Sequence, residues 1–586
     1  MEHFPGAFEP IFQDCSNPGP VPLDRLNLTF TTHSPLINLP IEVLNIIIQY
    51  LPEHGLGGLA LANSDCRQIA RTRQFCKIKL EFSENNEALL QHIVKEHKVL
   101  GGLPQRIRHV VPIGHCVRAI VFANETEQRA RHFQHFSQPN YSGDHRGPSA
   151  AADAAVKFPR ESHNEYIGHI AKICNTSGVL PNLELLDLAV AEWRASLPVW
   201  WNLNHIALRY LKLPVPTYES TFSTLSSKTN HQFHCPRLQR LELREYHLQH
   251  ALLYQSLRTV THLASSLESL TWLDMDKHML TFRHENLDSL ELPPLINLRR
   301  AHLSAMKIES TLLKAVLASP RLAILGITQS GKIPTKILND RGTIPTLLHL
   351  TTSHCSSDMI ESIWPFIAAN TQLSQLRLNQ PLSNDFLSSS LLPTLAHSCH
   401  SLACLALVWK ETTIPSQSLR LLSRLPRLTR LFLSARFQKR WRPEFLVDHV
   451  LVLNHLSQLP KLRELVFHND TYDNGHGWSD PSDYYEHRRM NDSGHLDYAF
   501  QPAHERFEII HKRRMLDVAR DYGNTMPSLE WLFVGQYPFA FDRSDDGDLR
   551  CPRFLCESRF DSENSKTGQK VIGIMFGSFD PTFGFD

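Results

Sequence analysis

Residues 426–433, Pro-Arg-Leu-Thr-Arg-Leu-Phe-Leu, carry the pattern on which the fold turns. Leu428, Leu431 and Leu433 stand at the spacing L-x-x-L-x-L directly behind Pro426. In an extended chain alternate side chains share a face, so Leu431 and Leu433 point one way while Arg430 and Phe432 point the other. Leu402, Leu405 and Leu407 repeat the phrase 26 residues earlier, and Leu347 and Leu373 open two more copies at the same separation.

Further openings lie at Leu183, Leu208, Leu238, Leu267, Leu298, Leu322, Leu462 and Leu529. Apolar residues at helical spacing occupy the intervals, as in Ile308, Leu312, Leu313, Val316 and Leu317, or Leu446, Val450, Leu453 and Leu456. Pro181, Pro236, Pro320, Pro345, Pro426, Pro460 and Pro527 stand just ahead of the phrases, where proline ends a helix and restarts extended chain. A strand and a helix returning every roughly 20–29 residues mark a leucine-rich repeat, and one repeat cannot bury its own leucines without a neighbour. The expected fold class is therefore α/β, with a leucine-rich-repeat solenoid (a horseshoe) over residues 181–540. The spacing drifts between 24, from Leu298 to Leu322, and 34, from Leu428 to Leu462. Cys355 is the clear match to the asparagine or cysteine usual at the ninth position. A non-repeat α/β domain with leucine-rich strands is the alternative.

Upstream, residues 1–35 hold Pro5, Pro10, Pro18, Pro20 and Pro22 and read as a flexible leader. Pro40 suits a first helical turn, and Val43, Leu44, Ile47, Ile48 and Leu51 follow at helical spacing. A second apolar stretch has Leu56, Leu59 and Leu61, and Asn63 or Ser64 can cap a third helix through Ala70. Three short helices in residues 36–75 bury little by themselves, so one face should be completed by another protein or by the next domain. A plain N-terminal cap on the repeats is the other reading. Residues 76–180 read as a connecting region with the first divergent repeats, and 541–586 as a C-terminal cap or tail.

The run Leu39, Pro40, Glu42, Val43, Leu44, Ile47, Tyr50, Leu51, then Leu56, Leu59, Ala60, Leu61 and Arg67, Ile69, Ala70 resembles the F-box. Gly57, Gly58 and Cys66 depart from that family's pattern. The resemblance implies docking of a Skp-type adaptor, and through it a cullin, while the rest of the chain selects a protein substrate for ubiquitin transfer. The residues it implies as adaptor-binding are Leu39, Pro40, Glu42, Leu44, Ile47, Leu51, Leu56 and Leu59.

Substrate contacts are expected on the strand positions that face away from the leucines: Tyr210, Lys212, Arg240, Arg300, His302, Arg377, Arg430, Phe432, Trp531 and Phe533. Asp187 and Glu242 lie among them. This face reads as polar and net basic at first and aromatic at its end, suiting a partner segment with acidic residues and an apolar anchor. Segments 137–162 and 468–502 read as exposed insertions.

Sixty Lys and Arg against 59 Asp and Glu give a net charge of +1, which offers no overall pull toward nucleic acid or membrane. Eleven cysteines without a C-x-x-C pair suit reduced thiols in cytoplasm or nucleus and provide no zinc set. No cofactor and no metal are expected. Gly326, Gly331 and Lys332 reproduce most of a phosphate-binding loop, but Ile333 replaces the magnesium-binding hydroxyl and Pro334 removes a donor. A metal group at Asp470, Asp473 and His476 is likewise weaker than a solvated loop. Three functions stay in view: a non-enzymatic substrate receptor, a leucine-rich-repeat scaffold without a ligase role, and an NTPase using Lys332.

Overall fold

Each leucine phrase becomes one strand, and within each unit these strands pair in parallel. The computed structural model describes residues 19–26, 30, 35–80, 84–101, 110–122, 169–188, 203–215, 234–245, 263, 265–274, 292–304, 310–328, 335–353, 357–435, 445–468, 470–472, 501–535, 537–541 and 551–555. The chain forms two units, Phe8–Leu298 and one built on Arg299–Asp586.

In the first unit β1 (Lys77–Leu80), β2 (Ala119–Phe122), β3 (Leu185–Asp187), β4 (Tyr210–Val215), β5 (Arg240–Glu245) and β6 (Ser269–Asp274) pair in chain order, all parallel. In the second, β7 (Arg300–Ser304), β8 (Ile324–Thr328), β9 (His349–Ser353), β10 (Gln375–Leu382), β11 (Cys404–Trp409) and β12 (Arg430–Ala435) do the same. A separate two-residue pair, β13 (Phe445–Leu446) with β15 (Asp470–Thr471), flanks β14 (Glu464–His468) in the chain. β14 joins β12 to β16 (Trp531–Val534). Two antiparallel strands, β17 (Tyr537–Phe541) and β18 (Pro552–Phe554), close that edge.

Parallel neighbours need a crossover, and helices supply it: Ser310–Leu317, Thr335–Arg341, Trp364–Ala369, Leu392–Ser398, Ser416–Leu422 and His449–Leu456. The middle leucine of each phrase stacks on the next in register, as Leu350, Leu376, Leu405, Leu431, Leu465 and Leu532. All six are buried. Polar side chains tie neighbouring turns together. Thr346 Oγ1 donates to Leu322 O at 2.8 Å and Thr429 Oγ1 to Ala403 O at 2.9 Å. Buried Asn370 accepts from Ile344 N at 2.8 Å and donates to Phe366 O at 2.7 Å. This is the fold expected of leucine-rich repeats.

Several expectations are corrected. The leader does not run unbroken to residue 35: Leu23–Leu26 form a 3-10 turn, with Val21, Leu23 and Leu26 buried. Arg118 donates to Gly19 O at 2.7 Å and Pro20 O at 3.2 Å, and Asn45 accepts from Leu23 N at 3.0 Å, so this segment is fixed onto the fold. Within residues 76–180, ahead of the phrase at Leu183, β1 and β2 pair in line with β3. Leu446 belongs to strand β13 and not to the following helix, which starts at His449 behind the Asp448 cap. Residues 470–472 and the helix Gln501–Thr525 bound the segment read as an insertion. Gly326 lies inside strand β8, where its backbone is part of the ladder, so the glycine-rich match does not start in a loop. Lys332, Asp473 and His476, all of segment 137–162 and most of segment 468–502 lie outside the described residues.

A buried polar network joins β15, the His449–Leu456 helix and the Gln501–Thr525 helix. Asp470 accepts from the Tyr472 hydroxyl at 2.6 Å and from Gly535 N at 2.7 Å. With its proton given to Asp470, the Tyr472 oxygen accepts from His449 Nε2 at 2.9 Å, and His449 Nδ1 takes the Tyr522 hydroxyl at 3.0 Å. Burial, with the Arg514 charge adding to it, pushes His449 down to about 4, so the ring is neutral near pH 7.

Candidate functional site

Helix α1 (Ile41–Tyr50) starts directly behind Pro40 and ends at extended Leu51, which precedes Pro52. α2 (Glu53–Ala62) follows, and α3 (Ser64–Gln74) starts at Asn63, whose Oδ1 accepts from Cys66 N at 2.8 Å. α3 runs beyond the expected end at Ala70. α1 turns Leu44 and Ile48 inward against Leu23, Ile37, Cys66 and Ile69.

The helices stand on a rigid base. Arg71 pairs with Glu96 at 3.3 Å on α4 (Glu84–Gly101), and Glu96 accepts from Ile113 N at 2.6 Å at the start of α5 (Ile113–Cys116). Gln68 accepts from Val111 N at 3.3 Å. Opposite the packed side, α1 presents Val43, Ile46 and Tyr50, spaced three and four residues apart and so aligned in one stripe, with exposed Leu39 just ahead of the helix. Ile46 is 56% and Tyr50 77% exposed, and Leu61 at the end of α2 is 81% exposed. Large apolar side chains clustered on a helix face in contact with water mark an interaction surface.

Of the residues implied as adaptor-binding, Leu39, Pro40 and Glu42 are exposed and Ile47, Leu51 and Leu59 are half-buried. Leu44 and Leu56 are corrected to core positions, each nearly inaccessible. Leu44 points inward because Leu23 and Ile69 complete a pocket for it. Ile46 was missed as a surface residue. The signal lay in the helical period: once Leu44 and Ile48 define the inner face, Val43, Ile46 and Tyr50 fall on the outer one.

The strand face opposite the leucines carries two different surfaces. In the first unit Asp187, Lys212 and Glu242 occupy one register row. Lys212 lies 3.5 Å from Asp187 and 3.4 Å from Glu242, and the Tyr210 hydroxyl donates to Glu242 at 3.0 Å. This row therefore has one cation between two carboxylates. Arg240 is half-buried in the next row, in register with Tyr210.

In the second unit one row reads His302, Gly326, Thr351, Arg377, Ala406, Phe432, Val466, Phe533. His302, Arg377, Phe432 and Phe533 were expected to meet a partner; all four are buried. Small and aromatic apolar groups set side by side pack on one another, and Cys404, Ala406, Phe432, Val466 and Phe533 form a second core with Trp531 at its margin. In the adjacent row Arg300 is half-buried, and Arg430 pairs with Glu464 at 3.0 Å. Burial pushes the Glu464 carboxyl up to about 7, against the opposing pull of Arg430. The thiols near this core are not ligand-like: burial pushes Cys399 up to about 11 and Cys404 to about 12. Among the described residues no helix is long and apolar enough to cross a membrane.

The chain matches no protein-family model and no curated protein sequence. Among solved structures it is similar to a chain of the TLR13–ssRNA13 complex, at 14% identity with a TM-score of 0.27. That match covers 50% of this chain and 48% of the other, so it spans about half of that protein's length. The repeat fold rests on the strand register described above, and not on that likeness.

Proposed function

We propose that the chain is a substrate receptor of the Skp-cullin-F-box type. In this reading α1–α3 dock a Skp-type adaptor and through it a cullin, and the repeat surface holds a protein substrate while partner enzymes transfer ubiquitin. The chain itself contributes binding and positioning, without a catalytic group, cofactor or metal, and works in cytoplasm or nucleus away from nucleic acid and membrane. The observation that carries the reading is the water-exposed apolar stripe of Val43, Ile46 and Tyr50 on a helix held at the start of a repeat array. Such a face gains by being covered.

A second reading, a leucine-rich-repeat scaffold with no ligase role, draws on one observation: Leu44 and Leu56, two of the motif's apolar positions, are spent on the chain's own core. Co-expression with a Skp-type adaptor separates the two. Co-purification of the adaptor with the full chain, lost in Ile46→Asp with Tyr50→Ala, supports the receptor. Failure of the unaltered chain to retain the adaptor supports the scaffold.

A further inference from the structure

The residues immediately before β2 to β6 belong to one row along the sheet margin: Arg118, Glu184, Arg209, Gln239 and Glu268. Backbone bonds link its members in turn, from Glu184 N to Arg118 O at 2.9 Å through to Glu268 N to Gln239 O at 2.8 Å. The side chains pair along the row. Arg118 takes Glu184 at 2.7 Å, and Gln239 Nε2 donates to Glu268 at 3.3 Å. Arg209 stands between these two pairs and, among the described residues, has no side-chain hydrogen bond or ion pair.

Beside it the turns that lead into β4, β5 and β6 border an open recess of about 310 Å³ lined by Arg209, Pro236, Arg237, Gln239 and Ser266. Arg237 is also without a side-chain partner among the described residues. Among the described residues no carboxylate lines the recess. The nearest acids in the row, Glu184 and Glu268, already have partners, and Arg118 is engaged by Glu184 and the carbonyls of Gly19 and Pro20.

We propose that this recess binds a phosphate monoester, with Arg209 and Arg237 sharing its oxygens and the free N–H of the Gln239 amide completing the donor set. Two guanidinium forks and no lining acid call for a ligand with more than one negative charge and at least three acceptor oxygens. A phosphate monoester carries about −1.5 to −2 near pH 7 and has three terminal oxygens, whereas one carboxylate occupies a single fork. The inference rests on the proposed function only in naming the carrier, a phosphorylated side chain of the protein partner.

The test uses the full chain without adaptor. Inorganic phosphate, O-phosphoserine and glutamate are titrated separately at constant ionic strength, with binding read by calorimetry and by the shift in Tm. Saturable binding of phosphate and phosphoserine is expected, weakened about tenfold in each of Arg209→Gln and Arg237→Gln, with glutamate much weaker. Because both arginines are exposed and make no side-chain bonds among the described residues, the ligand-free Tm should not move. If Arg209→Gln does lower it, Arg209→Lys, which keeps the charge and loses the fork, is read in its place and should still bind more weakly. Phosphate affinity unchanged in the double variant, phosphoserine failing where phosphate binds, or glutamate matching both would overturn the proposal. Adaptor capture is independent of all three results.

Discussion

The ring of His302 occupies the space that a β-carbon on Gly326 would need: such an atom would stand 3.2 Å from both Cγ and Nδ1 of the imidazole. The two residues are in register on β7 and β8, and the ring is held on its far side by His302 Nε2 and Thr328 Oγ1 at 2.9 Å. Gly326→Ala should therefore cost about 1–2 kcal/mol, as overpacking does where a neighbour cannot move aside. Urea denaturation followed by fluorescence measures it. The same placement gives Gly326 a packing role with no nucleotide, so ATP or GTP is expected to leave the Tm unchanged.

Phe432 distinguishes a surface from a core on the face away from the leucines. Truncation at an exposed strand position costs less than about 0.5 kcal/mol, whereas removing a buried phenylalanine costs about 3–5 kcal/mol. With Val466 and Phe533 packed in its row, Phe432→Ala should fall in the second range. Leu405→Ala, in the leucine core, should cost a comparable 2–5 kcal/mol, about what such cavities cost elsewhere. Equilibrium denaturation of both variants checks the pair.

Stability should fall on acidification through the pH range below 6.5. His449 is held near 4 in the folded chain against an ordinary 6.5, so between these values the unfolded chain binds the proton that the folded chain refuses. Its contribution is complete above pH 6.5 and is lost as the pH drops toward 4, on the order of 3 kcal/mol for a shift of this size. His349, also pushed to about 4 by burial and then by Arg300, acts in the same direction. Glu464 acts oppositely: held near 7, its contribution is present below 4.5 and lost as the pH rises through 7. In His449→Gln the dependence of Tm on pH between 4 and 6.5 should be shallower than in the unaltered chain, whatever the baseline loss from the broken network.

The repeat architecture was legible because leucine spacing reports a shared core directly. The strands of the first divergent repeats, β1 and β2, could not be placed within residues 76–180 because Phe75, Ile78 and Leu80, and Val117, Ile120 and Phe122, reproduce the spacing with Leu80 as its one leucine. The three N-terminal helices were readable from Pro40, Pro52 and Asn63. Which face of α1 points outward was not, because Leu44 is drawn in by Leu23, a residue from the segment read as a leader. The outer strand face was misjudged for a related reason. A residue such as Phe432 or Arg377 shows its direction from the strand in sequence, but its burial depends on neighbours some 26–34 residues away along the row.

The most direct measurement is the dissociation constant of the full chain for a purified Skp-type adaptor, taken for the unaltered protein, Ile46→Asp and Ile509→Asp. Ile509 is an exposed isoleucine on the Gln501–Thr525 helix and serves as the control for a charge placed on apolar surface. Saturable binding that Ile46→Asp weakens by at least about tenfold, and Ile509→Asp leaves alone, is the expected result. Absence of binding by the unaltered chain, or equal affinity for all three, would contradict α1 as the docking face.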